Sequence, residues 1–237
     1  MEPLTLIEQS SPFLGYLADW RAKLATFDLA AELKEPQRAA VISEDLVKGF
    51  CTIGPLASPR VQAIVAPSVR LIKRAHALGV PHFVLTQDTH EPDAVEFGSF
   101  PPHCVRGTEE SETVPELAVL PFADQFVVVQ KNSIDSSLVP GFQDWLARHP
   151  DVNTFVVVGD CTDLCIYQMT MALRVRANAL QRRDVRVIVP ADCVDTYDLP
   201  VDVARSLGIL PHAGDLLHLV FLYHMALNGI EVVATIR

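Results

Sequence analysis

The chain has 237 residues, 49% of them hydrophobic and 20% charged, enough for one sizeable α/β core or at most two small domains. A net charge of −10 argues against nucleic acid and anionic membrane surfaces as partners. No apolar run reaches the roughly 18 residues that span a bilayer, the first nine residues lack a secretory signal's basic start and apolar stretch, and five scattered cysteines suit reduced thiols, so the expected location is cytoplasmic.

Residues 1–38 read as an N-terminal helical extension. Phe13, Leu14, Leu17, Trp20, Leu24, Phe27 and Leu29 recur at helical spacing, and Pro36 closes the segment. These positions are expected to pack on the domain or on a partner subunit. From residue 39 onward strands and helices alternate. Ala39–Ser43 reads as a buried strand that runs into Glu44-Asp45. Val65–Leu78 has helical periodicity and stops at Gly79, and Val80–Thr86 is a second strand leading into Gln87-Asp88-Thr89-His90. Phe126–Val129 is a third strand, ending in Gln130-Lys131-Asn132, and Ser137–His149 looks helical. Val152–Val158 is a fourth strand, followed after a compact loop by a helix over Tyr167–Leu180. Val185–Pro190 is a fifth strand, Val201–Leu207 and Leu216–Asn228 are helices, and Ile230–Ile236 is a sixth strand. With no repeat and no flexible linker, residues 39–237 are expected to form one domain. The expected fold is a three-layer α/β/α arrangement around a mainly parallel six-stranded sheet.

In such a sheet the C-terminal strand ends share one edge, where ligands bind. Four of those ends deliver Asp45, Asp88 with His90, Lys131 and Cys165. Cys165 opens a helix, whose terminal N–H groups favour thiolate and can hold an oxyanion. An acid, a cation and a thiol within mutual reach satisfy the needs of nucleophilic catalysis. Asp88 and His90, two residues apart at a strand end, can both reach one ion. The loop from Glu91 to Gly107 adds Asp93, Glu96 and His103, a donor set suited to a divalent transition metal. His212, His218 and His224 read as structural or surface residues rather than ligands.

The order of these pieces resembles the isochorismatase-like cysteine hydrolases, and within them the nicotinamidase branch. The resemblance covers about residues 39–195 and rests on Asp45-Leu46-Val47-Lys48-Gly49-Phe50, Thr86-Gln87-Asp88-Thr89-His90, Phe100-Pro101-Pro102-His103, Lys131 and Gly159-Asp160-Cys161-Thr162-Asp163-Leu164-Cys165. It implies a catalytic triad of Asp45, Lys131 and Cys165. It also implies a cis peptide between Asp160 and Cys161, with the N–H groups of Cys161 and Cys165 forming an oxyanion hole. Asp88, His90 and His103 are the implied metal ligands, with Glu96 as the fourth. The metal is expected to be zinc, with iron or manganese as alternatives. Phe50 is implied as a wall of the substrate pocket. Phe100 stands where a tryptophan is usual, and Cys161 where a smaller residue is usual. The implied reaction is hydrolysis of nicotinamide to nicotinate and ammonia in NAD salvage, through a thioester on Cys165. The family's habit of self-association suggests a homo-oligomer. The competing expectations are a relative acting on another small amide, carbamoyl or ureido compound, and a non-catalytic binding protein on the same fold.

Overall fold

The computed structural model describes residues 3–237. Helix α1 (Pro3–Ala22) precedes strand β1 (Ala39–Glu44), helix α2 (Pro59–Ala77) and strand β2 (His82–Asp88). A long loop leads to β3 (Phe126–Lys131), α3 (Pro140–Arg148), β4 (Thr154–Asp160), α4 (Cys165–Ala179) and β5 (Arg186–Pro190). Helices α5 (Val201–Leu207) and α6 (Gly214–Leu227) and strand β6 (Glu231–Val233) follow.

The six strands pair in the order β3-β2-β1-β4-β5-β6, every pair parallel. A seventh, two-residue strand, Val194–Asp195, pairs with the end of β4. Alternate side chains of each strand face opposite layers. Val41, Phe83, Leu85, Val156 and Val158 meet Val61, Ile64, Val65 and Ile72 of α2 on one face. Ala40, Ile42, Val84, Val157 and Val187 meet Trp145, Ile166, Met169, Leu222 and Met225 of α3, α4 and α6 on the other. Burial on both faces explains why these strands are almost continuously apolar. Strand order reverses between β1 and β4, the crevice at which open parallel sheets place ligands.

Two elements differ from the sequence expectation. Ile230–Ile236 is not one strand: the chain bends at Ala234, whose N–H donates to the Ala25 carbonyl at 2.7 Å, and Thr235–Ile236 pairs with Thr26–Phe27 in a separate two-stranded sheet. Phe27 therefore lies in a strand and Leu29 opens a four-residue helix, Leu29–Glu32, and both join the core beside α2. Helix α2 begins six residues before the expected Val65, because Pro59 sits in its first turn and an internal Pro67 masks the continuity. Helix α1 packs on α6 by setting Phe13, Tyr16 and Trp20 around the ring of Tyr223 at centroid distances of 5.6, 5.8 and 5.3 Å.

Candidate active site

Asp45 follows β1 in a left-handed conformation with φ of 54°, which short polar side chains tolerate better than others. Its N–H donates to the Thr86 carbonyl at 2.9 Å, and its Oδ1 accepts from the Asp88 N–H at 2.8 Å. The carboxylate is thereby tied to the end of β2. On the other side of β1, Gly159 has φ of +116°, and a Cβ there would lie 1.9 Å from the Glu44 carbonyl oxygen. Only glycine permits this approach, which closes the switch point between β1 and β4.

β3 is an edge strand whose Val127 and Val128 are exposed, yet its last residue, Lys131, is 1% exposed. The Lys131 ammonium lies 2.8 Å from Asp45 Oδ2, contacts Asp88 Oδ1, and lies 3.6 Å from Cys165 Sγ. Three strand ends and one helix start thus meet at a single buried nitrogen.

One lysine serves four buried carboxyls, and they divide accordingly. Desolvation, with Asp45 adjacent, raises Glu44 to about 8, and Glu44 takes a hydrogen bond from Ser136 Oγ at 2.8 Å. Desolvation also pushes Asp160 well above the carboxylate range. Asp45 rises to about 6 through burial and the nearby Asp88 charge, with Lys131 and the Cys165 thiol pulling it back. Asp88 is drawn well down: burial opposes this, but the adjacent Lys131 ammonium outweighs it. Against its own desolvation, Lys131 is held charged by Asp45 and Asp88. Burial pushes the Cys165 thiol well up, more than Lys131 lowers it. The helix start and the lysine favour thiolate, as the sequence suggests, and burial opposes them. Asp45 shares the Lys131 ammonium with the thiol, at 2.8 Å against 3.6 Å, and is the carboxylate placed to exchange a proton with it.

The Asp160–Cys161 peptide is cis. Among the described residues, the N–H groups of Cys161 and Cys165 meet no protein acceptor, while the Cys161 carbonyl accepts from Leu164 and Ile166. The turn that carries the thiol therefore holds two free donors.

On the outer side, Asp88, His90, Glu96 and His103 each place one ligand atom so that all lie within 4.8 Å of one another. His90 Nδ1 is 3.1 Å from Asn132 Oδ1, which also accepts from the Glu91 N–H at 3.0 Å. His103 Nδ1 is 2.8 Å from the Pro101 carbonyl. Acceptors at both Nδ1 positions put the hydrogens there and leave both Nε2 lone pairs facing Asp88 Oδ2, at 3.4 and 3.6 Å. His90 Nε2 is buried without a hydrogen-bond partner, the mark of a ligand atom awaiting a cation. These residues fit a divalent transition metal. Asp93 is exposed and outside the cluster.

Phe50 and Phe100 stand 5.4 and 6.3 Å from the His103 ring. Sequence reasoning passed over Phe97, which lies edge-on to His90 and His103 at 5.3 and 5.6 Å. It also passed over Asn132, although that residue directly follows Lys131, and Ile134, whose N–H donates to Glu96 Oε2 at 3.1 Å.

An acid, a lysine and a thiol beside free N–H donors, at the switch point of a doubly wound sheet, define machinery for acyl transfer by a cysteine nucleophile. Residues 39–208 match the isochorismatase domain family, and the chain belongs to that family. It is 32% identical over 225 residues to Nicotinamidase 1 of Arabidopsis thaliana, covering 86% of this chain and 88% of that protein. Solved structures with the same fold include pyrazinamidase/nicotinamidase from Streptococcus mutans, at 21% identity and a TM-score of 0.62, covering 82% of this chain and 99% of that one. N-carbamoylsarcosine amidase from Thermoplasma acidophilum is another, at 24% identity and a TM-score of 0.57, covering 82% of this chain and 95% of that one.

Proposed function

We propose that the protein hydrolyses nicotinamide to nicotinate and ammonia, with Cys165 as nucleophile, Asp45 as proton carrier and Lys131 as the cation that organises them. The observation that carries this reading is the Lys131 ammonium, within 2.8 Å of the acid and 3.6 Å of the thiol. The similarity to the Arabidopsis nicotinamidase supports the choice of substrate. So do the three phenylalanine rings around His103, which suit a flat heteroaromatic amide.

Cys165 passes its proton to Asp45 as the sulfur bonds to the carboxamide carbon. The carbonyl oxygen takes the displaced electron pair and is held by the N–H groups of Cys161 and Cys165. Collapse breaks the C–N bond, and Asp45 returns the proton to the departing nitrogen, releasing ammonia and leaving a thioester. Water then gives a proton to Asp45 and its oxygen to the acyl carbon. The sulfur leaves and recovers that proton, and nicotinate is released. Lys131 stays charged throughout and keeps Asp45 from holding the proton too tightly. Asp88, His90, His103 and Glu96 would hold the metal, with zinc favoured over iron or manganese. When bound, such an ion supplies a Lewis-acid site able to accept a heteroaromatic nitrogen.

The product places the reaction in NAD salvage. A cytoplasmic location accords with five unpaired, buried cysteines. No described helix is long and apolar enough to cross a membrane. Self-association finds support in the exposed Leu6, Ile7, Phe13 and Leu14 along α1.

The test is ammonia release by purified protein from nicotinamide, compared with carbamoyl and ureido compounds, before and after chelation. Preferred turnover of nicotinamide is expected. Turnover of a carbamoyl compound alone would replace the substrate assignment and keep the hydrolase. Binding without turnover of any amide would favour a non-catalytic protein.

A further inference from the structure

The loop from Cys161 to Leu164 is gripped from outside by residues 195–218, a segment that runs past the end of the family match at residue 208. The Thr162 N–H donates to the Asp195 carbonyl at 3.0 Å. Thr162 Oγ1 lies 2.9 Å from His218 Nδ1, and Asp163 Oδ2 lies 2.8 Å from His212 Nε2. His212 is itself fixed in place. It is 8% exposed, its Nδ1 is 2.8 Å from the Tyr197 carbonyl, and its ring stacks on that of Tyr197 at 3.8 Å. Its backbone exchanges two hydrogen bonds with Leu199, at 2.7 and 2.9 Å.

A carbonyl only accepts, so His212 Nδ1 carries a hydrogen. Its Nε2 meets the Asp163 carboxylate at 2.8 Å, so both ring nitrogens are engaged and the imidazole has no freedom to turn. Thr162 is anchored by the two contacts above, and Asp163 by the bond to His212. Helix α4 has no side-chain cap at Leu164. The N–H groups of Leu164 and Ile166 both donate to the Cys161 carbonyl, so the turn that carries Asp163 is bonded back to Cys161. A displacement of Asp163 is therefore passed first to the free N–H of Cys161, while the thiol keeps its own contact with Lys131.

We propose that Asp163 and His212 are positioning residues whose shared bond holds the oxyanion-hole loop in register with the thiol. The proposal rests on the cysteine-hydrolase reading above. Its consequence is selective: stabilisation of charge on the carbonyl oxygen depends on the bond, while nucleophilicity of Cys165 does not. A shift of about 1 Å in such donors costs on the order of 100-fold in rate.

The experiment compares Asp163→Ala, His212→Ala, the double variant and Asp163→Asn with the wild type. It reads kcat and KM for nicotinamide, the rate of Cys165 alkylation by iodoacetamide, and Tm. Alkylation is displacement at a saturated carbon and forms no oxyanion. Both single alanine variants are expected to lose about 10- to 100-fold in kcat, with KM and the alkylation rate within about two-fold. The double variant should fall no further than the worse single, because one bond is shared. Asp163→Asn, whose amide can donate to Nε2, should recover most of the loss. His212→Phe, which keeps the stacking on Tyr197 and removes the hydrogen bond, stands in for His212→Ala, under the same criteria, if melting shows the alanine variant unfolded. Unchanged kcat in the single variants overturns the proposal. So does a proportional fall in kcat, alkylation and Tm, which would mean general loosening. A wild type inactive on every amide removes the hydrolase reading and this inference with it; an active wild type with unaffected variants removes this inference alone.

Discussion

On the thiol side of Asp88, burial works against the groups it encloses; on the imidazole side it prepares them. Lys131, Asp45, Asp160 and Glu44 are desolvated together, with one cation among them, so the three carboxyls are all raised above their ordinary range. His90 and His103 have their tautomers set by Asn132 and Pro101, and their lone pairs already converge. Asp88 serves both sides, offering Oδ1 to Lys131 and Oδ2 to the imidazoles. A group that must move protons is built with conflict, whereas a group that must hold an ion is built with its donors satisfied and its lone pairs free.

The comparison breaks first at the sulfur. Cys165→Ala removes the nucleophile while deleting only one buried atom, so ammonia release should fall by at least about 1,000-fold with the fold intact. Steady-state assay and circular dichroism check this together. Lys131→Met takes the cation from two carboxylates and leaves them unpaired. It should cost about 3–5 kcal/mol of stability, read by urea denaturation, with activity lost. On the imidazole side the effect should be smaller and of another kind. Asn132→Ala frees the Nδ1 hydrogen of His90, so metal affinity should drop about 10- to 100-fold with the alkylation rate of Cys165 unchanged. Competition with a chelating dye measures it.

The smallest expected effect sharpens the conflict itself. Glu44 is raised in the fold to about 8, above its ordinary 4.5. Its contribution to stability is therefore full below about 4.5 and is lost as pH rises through about 8, because the unfolded chain releases the proton first. Glu44→Gln stays neutral at every pH. Its Tm should match the wild type near pH 4 and exceed it at pH 8, by about 2–4 °C per kcal/mol of relieved strain. A Tm difference independent of pH would place Glu44 outside the conflict.

Much of this site could be read in the sequence because it hangs on strand ends. Runs such as Val156-Val157-Val158-Gly159 declare a buried strand, and a parallel sheet then brings Asp45, Asp88, Lys131 and Cys165 to one edge regardless of detailed packing. What escaped depends on contacts between distant segments. Nothing local to His212 announces Asp163, 49 residues away, and Phe97 sits in a short helical turn whose direction only the folded loop sets. The C-terminal run Ile230–Ile236 looked continuous because its pattern is strand-like throughout, and only its pairing with Thr26–Phe27 divides it. The environment of Cys165 was half legible for a related reason: helix start and lysine are visible in sequence, but the depth of burial that opposes them is not.

The central claim is that Cys165 carries the acyl group. Protein quenched in acid during nicotinamide turnover, digested and mapped by mass spectrometry, tests it most directly. The account predicts a nicotinoyl adduct on the peptide containing Cys165 and absent from Cys165→Ala. An adduct on Cys161 or another side chain, or full turnover by Cys165→Ala, would contradict it.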